Sequence, residues 1–359
     1  MTDVAATDLA RPQGPSILRR LRGDYFATPV DAVISIVCLV ALVAIIVPVL
    51  RWALIDANFV GTTRNDCTGG GACWVFIRAR FGQFMYGLYP IEERWRVNLA
   101  GLLLLATVAL SFWKAMPQRG RVVPLMWVAV MLVGVWLLSG GLGLVRVETR
   151  QWGGLMLTIF LSVYAGVLAV PLGILMALGR RSELPVIRML STIFIEFWRG
   201  VPIITVIFLA SLLLPLIMPA GWDIDRLVRA VVGLAFVIAA YMAEAVRGGL
   251  QAIPKGQSEA AAAASLGYWT TTRLIVLPQA LRIAMPAMTN EFIALVKNTS
   301  LVSIVSIFDL LGIAQAALAD PNWVGMNNEA YVFAGSVYWI ICFGLSRWAR
   351  RLEGKKTTY

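Results

Sequence analysis

The chain has 359 residues, 59% of them hydrophobic and only 14% charged, with a mean hydropathy of +0.77; soluble domains carry about 25% charged residues, so a bilayer is the natural solvent here. It contains no histidine, which excludes imidazole acid–base chemistry, Ser/His/Asp and Cys/His constellations, and histidine-ligated metals. The net charge of +11 reflects membrane topology rather than nucleic-acid binding, because most Lys and Arg stand beside apolar runs.

Residues 1–29 read as a polar cytoplasmic tail, with Pro12, Gly14 and Pro15 followed by Arg19, Arg20 and Arg22 facing anionic headgroups. The apolar run that follows is too long for a signal peptide and lacks a small-residue cleavage site, so it is an uncleaved span. Runs of about 20 apolar residues suit helices crossing a hydrocarbon core of about 30 Å. They predict an all-α integral membrane protein with about eight transmembrane helices, near 30–52, 97–115, 122–145, 153–178, 190–218, 227–248, 281–318 and 331–349. The seventh is too long for one simple helix. Lys and Arg are about twice as frequent on the side that holds the N-terminus, which places both termini in the cytoplasm.

The first three spans form a unit at 30–150 that includes an outside loop at 56–96. Cys67 and Cys73 lie close together in its Gly-rich part, and an oxidising compartment would let them close a short disulfide turn, with two free thiols as the alternative. Without histidine they make a poor zinc site, and no metal site is expected elsewhere. Cys38 and Cys342 sit inside apolar runs, where small-residue packing is the usual role. Downstream, Trp74, Phe76, Phe81, Phe84, Tyr86, Tyr89 and Trp95 are interleaved with Arg78, Arg80, Arg94 and Arg96, a pattern suited to lying at the membrane interface.

Charges inside spans need partners. Glu196 and Arg199 are three apart, as are Glu244 and Arg247, so each pair shares a helical face. Both read as buried charge pairs that pin the bundle near its cytoplasmic end, with substrate contact as the alternative. Gly200 and Pro202 should break or kink the fifth span. In the seventh, Asn290, Glu291, Lys297, Asn298, Thr299, Ser300, Ser303, Ser306 and Asp309 interrupt an apolar stretch. A break near Lys297 to Ser300 would put polar groups on a pathway, since non-helical backbone at membrane depth must line a cavity or be buried in protein. There Lys297 could meet a carboxylate and Glu291 an ammonium, oriented by Asn290, Asn298 and Ser300. Tertiary bonds tying broken helices together are the competing reading.

After the sixth span, Glu259, Ala260 and Ala261 are followed at fixed spacing by Ser265 and then by Ile275, Leu277 and Pro278. This resembles the cytoplasmic signature of ABC importer permeases, in which EAA is followed by a glycine and an I-x-L-P string. Ser265 stands where the family carries the glycine, so the turn is expected to shift toward Gly267 or to loosen. The strings Ile195 to Pro202, Ala240 to Gln251 and Lys297 to Leu301 are similar to those of polar amino acid importers. The three extra helices look like those of the longer permease subunit of general L-amino-acid importers of Gram-negative bacteria.

The resemblance implies a five-helix type I importer core at 151–353, with a coupling segment at 251–278, three extra helices before it and a cytoplasmic C-terminus at 354–359. It implies a bacterial inner-membrane subunit that moves polar L-amino acids inward and partners a homologous permease, two ATPase subunits and a periplasmic amino acid-binding protein. ATP and Mg would be held by those ATPase subunits. This chain lacks a phosphate loop, since Gly354, Lys355, Lys356 and Thr357 have no upstream glycine spacing. The alternatives are an ion-gradient-driven amino acid transporter, which needs no such signature, and a membrane enzyme, which the missing histidines leave short of catalytic groups.

Overall fold

Helices carry the chain because its apolar runs can satisfy backbone groups internally only in that form. The computed structural model describes residues 23–113, 115–116, 118–219, 221 and 224–353. Most of the predicted tail, with Arg19, Arg20 and Arg22, and the predicted C-terminus at 354–359 lie outside the described residues. Among the latter, β pairing is confined to isolated bridges. The chain divides into two compact units, residues 1–75 and 76–359.

In the first unit, α1 spans Pro29–Leu50. Pro29 opens it, and a capping box precedes it: Thr28 Oγ1 accepts from the Asp31 amide while the Asp31 carboxylate accepts from the Thr28 amide, both at 3.1 Å. None of its residues is buried, as suits a helix facing lipid. The loop after it folds back on itself, the Ala72 amide donating to Trp52 O and the Asn58 amide to Ala72 O, each at 2.8 Å. Cys67 and Cys73 are joined in a disulfide that closes this turn, their Cα atoms 5.6 Å apart. Gly71 is obligatory here, because a Cβ on it would lie 2.0 Å from Asp56 O.

Helix α2 (Trp74–Tyr86) leads into the second unit, followed by α3 (Arg94–Ser111) and α4 (Arg119–Ser139). The aromatic residues expected at the membrane interface divide: Phe76, Phe84 and Tyr89 are buried, as is Arg96, Trp74 and Tyr86 are half-buried, and Phe81 and Trp95 are exposed. Phe76 packs against Trp323 and Phe84 against Phe333, while Arg80 pairs with Asp320. Arg96 is neutralised by Glu93 and donates to Val145 O at 2.8 Å. Internal partners therefore take up part of this segment, while Phe81 and Trp95 remain exposed.

The core is α5 (Gly154–Arg180) against α9 (Arg226–Gln251). Ala165, Ala169 and Ala177 of α5 and Ala239, Ala240 and Ala243 of α9 are fully buried. A Cβ on Gly173 would stand 2.9 Å from Ala239 O, so small side chains permit the close approach. Both helices begin at one end of the bundle and finish at the other, their last turns joined through Arg180 and Glu244. The chain between them must return across the bundle. It does so through α6 (Pro185–Gly200), α7 (Ile203–Phe208), a π-helical turn and α8 (Leu214–Ile217), bent by 102° at Val201 and Pro202. The fifth predicted span is thus a broken crossing rather than a straight helix, because Pro202 has no amide to continue the ladder.

Two short helices, α10 (Lys255–Ala263) and α11 (Tyr268–Thr271), follow α9. Then α12 (Leu277–Asn298) recrosses the bundle, a 3-10 stretch covers Thr299–Val305, and α13 (Leu310–Leu318) and α14 (Asn327–Glu353) finish the fold. Five of the described helices are long and apolar enough to span a bilayer, six if the bent pair counts as one. Helices α3 and α12 occupy the remaining two predicted positions, but Arg94, Arg96 and Asn98 in one and Arg282, Glu291 and Lys297 in the other lower their hydropathy.

Candidate functional site

Three constellations lie in the second unit. The first is the knuckle between α9 and α12. Helix α10 stops because Ser265 turns left-handed, with φ +59°. The Ser265 amide then donates to Ala262 O at 2.9 Å and the Leu266 amide to Ala261 O at 3.0 Å, the paired bonds of a Schellman cap. The turn has not moved to Gly267, whose φ is −67°. Ser265 itself adopts the strained conformation that the signature glycine would take without cost. Ala261 is buried, whereas Glu259, Ala260, Ser265 and Gly267 are exposed, and Tyr268 and Trp269 project outward at 60% and 74% exposure. Ile275 and Leu277 are half-buried and Pro278 exposed where the chain rejoins α12. Ile275 O accepts from Gln279 Nε2 at 2.8 Å.

The second constellation is a network of charges at the knuckle end of α5, α6 and α9. Glu244 accepts from Arg247 through Nη2 at 2.6 Å and Nε at 2.9 Å, and from Arg180 Nη1 at 2.7 Å. The expected Glu196 and Arg199 pair does not form: Glu196 instead meets Arg180 Nη2 at 2.8 Å. Arg199 turns to Glu244 at 3.9 Å and lies over the Tyr241 ring. Only Glu244, 17% exposed, is well covered, and Glu196 is 54% exposed, so the pairs are less buried than the sequence suggested. Arg180 was missed because it sits at the end of an apolar run and shares no helix with either carboxylate. It is nevertheless the group that joins them.

The third constellation is the broken segment after α12. The break begins at Thr299, as the 3-10 stretch, and turns sharply at left-handed Ser306. Thr299 is fully buried and its hydroxyl donates to Val296 O at 2.8 Å. Asp309, also fully buried, caps α13 by accepting from the Gly312 amide at 3.0 Å, and receives the Tyr338 hydroxyl at 2.5 Å. Thr158 Oγ1 of α5 accepts from the Leu310 amide at 3.1 Å. Thr299 therefore belongs to a tie between α12, α13 and α14 rather than to an open surface. Asn290 and Lys297, seven apart, share an exposed face of α12. Glu291, Asn298 and Ser300 are half-buried, Ser300 donating to Lys297 O at 2.8 Å. Tyr338 carried no sequence signal, being one of two tyrosines in the final span with nothing in the pattern to distinguish it from Tyr331.

Residues 169–358 match the family of binding-protein-dependent transport system inner membrane components. The inner membrane amino-acid ABC transporter permease protein YhdY of Escherichia coli is 51% identical over all of this chain and 99% of its own length. The glutamate/glutamine/aspartate/asparagine transport system permease protein BztC of Rhodobacter capsulatus is 32% identical over 99% of this chain and 98% of its own. Among solved structures, a crystal structure of an amino acid ABC transporter with histidines superposes with a TM-score of 0.51 at 28% identity. It covers 56% of this chain and 92% of its own.

Proposed function

The chain belongs to the family of inner membrane components of binding-protein-dependent transport systems, and from that premise we propose that it is the permease subunit of an importer carrying polar L-amino acids from periplasm to cytoplasm. The observation that carries this reading is the knuckle. Helices α10 and α11 present Glu259, Ala260, Tyr268 and Trp269 outward, while Ala261 is buried. An alanine surface has little side-chain entropy to lose on docking, and exposed aromatic residues are typical anchors of an interface. Closure of two ATPase subunits would push this element, and α9 and α12, which leave it at either side, would rock the broken crossings.

In this reading the chain holds no ATP or Mg site of its own. Both termini lie in the cytoplasm, residues 30–150 form an added three-helix unit, and residues 151–353 form the core, which pairs with a homologous permease around a central path. A periplasmic binding protein delivers the amino acid to the opposite end. The exposed face of α12 with Asn290 and Lys297, together with Glu291, lines that path and supplies both signs of charge to a zwitterion. The test is reconstitution with the neighbouring subunits in proteoliposomes. Uptake of an amino acid should require ATP, and Glu259→Arg should abolish both uptake and co-purification of the ATPase. Uptake that persists without ATP and stops when an ion gradient collapses would overturn the proposal.

A further inference from the structure

A cavity of about 710 Å³ opens at the end of the bundle opposite the knuckle, between the loop from α4 to α5, the first turn of α9 and residues 306–308. Its wall carries Arg146, Arg150, Arg226 and Arg229 against Glu148 and Asp225, an excess of two positive charges among the described residues. Both carboxylates are already occupied. Glu148 pairs with Arg150, and Asp225 accepts from the Leu227 amide at 2.7 Å and from Thr149 Oγ1 at 2.5 Å. Among the described residues, Arg226 donates to a carbonyl, Val305 O at 3.2 Å, and makes no ion pair. Arg146 and Arg229 make no ion pair among the described residues, and Arg229 Nε is buried without a hydrogen-bond partner.

Several guanidinium groups facing one concavity repel one another, and with both described carboxylates already engaged the wall favours a bound anion. The volume falls in the range of about 300–1,000 Å³ usual for small-molecule sites. We propose that this cavity is an entry subsite that takes a small carboxylate, and that it favours dicarboxylic amino acids over cationic ones. Arg146 and Arg229 hold the carboxylate and Arg226 adds charge at the first turn of α9. The proposal deepens the permease reading and rests on it for the identity of the ligand. Residues 306–308 wall the cavity and lead directly into Asp309, so an anion held here would touch the same segment that ties α12 to α13.

The test is equilibrium dialysis of the purified transporter complex, without binding protein, against radiolabelled L-glutamate, L-glutamine and L-lysine. Wild type should retain L-glutamate best and L-lysine least. Arg146→Gln, on an exposed loop, and the Arg146→Gln, Arg229→Gln double variant should each weaken L-glutamate retention, by about tenfold in the double variant. Equal retention of L-glutamate and L-lysine by wild type overturns the proposal, as does retention unchanged in both variants. So does a result in which the variants lose affinity for the binding protein and keep L-glutamate, since the arginines would then meet an acidic protein surface. The permease reading fails separately, if wild type shows no ATP-dependent uptake of any amino acid.

Discussion

Arg180 Nη1 stands 2.7 Å from Glu244 Oε1, and its other terminal nitrogen stands 2.8 Å from Glu196 Oε1, so one guanidinium joins α5 to both α6 and α9. Two of these three groups differ sharply in cover. Removing a well-covered partner strands its neighbours, while an exposed one is readily replaced by water.

Glu244→Ala should therefore destabilise the folded subunit by about 3 kcal/mol, leaving Arg180 and Arg247 without their shared acceptor. Glu196→Ala should cost less than about 1 kcal/mol. Thermal unfolding of the two variants in the same detergent measures the contrast, and equal losses would refute this account of the network.

Asp309 caps α13 and accepts the Tyr338 hydroxyl. Tyr338→Phe removes a hydrogen bond to a buried charge and should cost about 2 kcal/mol. Asp309→Ala removes the cap as well and should cost about 3 kcal/mol. Because α13 and α14 share this tie, hydrogen exchange should rise first at residues 306–318 in both variants.

Ser265 holds a left-handed backbone that glycine adopts freely. Ser265→Gly should stabilise the knuckle by about 1 kcal/mol, whereas Ser265→Val should weaken it by more than that, because branching at Cβ crowds this conformation. Limited proteolysis between α10 and α11 reads the change. The glycine variant should become more resistant and keep its association with the ATPase.

In the loop after α1, the Asp66 carboxylate accepts the Thr62 and Thr63 amides, each at 2.8 Å, and these bonds hold its pKa below the ordinary carboxylate value. A depressed folded-state pKa gives stability that is present above the unfolded pKa and lost as pH falls through the folded one. Protection of the Thr62 and Thr63 amides should thus be constant at neutral pH and fall only below about pH 4. Asp66→Asn should flatten that dependence.

The disulfide in the same loop closes a short ring, its cysteines six residues apart in sequence. Chain-entropy arguments give such a ring about 2 kcal/mol. Reduction, or Cys67→Ser, should speed exchange of the Asn58 and Ala72 amides by roughly tenfold or more. Unchanged exchange would mean that the backbone pairing holds the loop alone.

Much of the architecture was legible because a bilayer imposes length and apolarity on every crossing, and each of the eight predicted spans falls on helix among the described residues. The break of the fifth span was equally legible, since Gly200, Val201 and Pro202 carry their backbone consequences wherever they occur. The knuckle was marked by Glu259 to Pro278, although the serine in its turn was expected to displace the bend and instead adopts it. What misled was local pattern. Helical spacing placed Glu196 beside Arg199, and the alternation of aromatic and arginine residues after Trp74 suggested a surface segment of which Phe76, Phe84, Tyr89 and Arg96 are in fact packed inside.

The sequence by itself determined that the chain is helical, crosses a membrane several times and carries an importer signature, because composition, run length and short-range spacing are properties of contiguous residues. Only the tertiary structure decided that Arg180 rather than Arg199 meets Glu196, that Tyr338 closes on Asp309, and that Arg146, Arg226 and Arg229 converge on one cavity. Those pairings join residues from different elements: Arg180 with Glu196 and Glu244, Tyr338 with Asp309, and the loop residue Arg146 with Arg226 and Arg229. They depend on how helices and loops pack together, which no single stretch of sequence encodes.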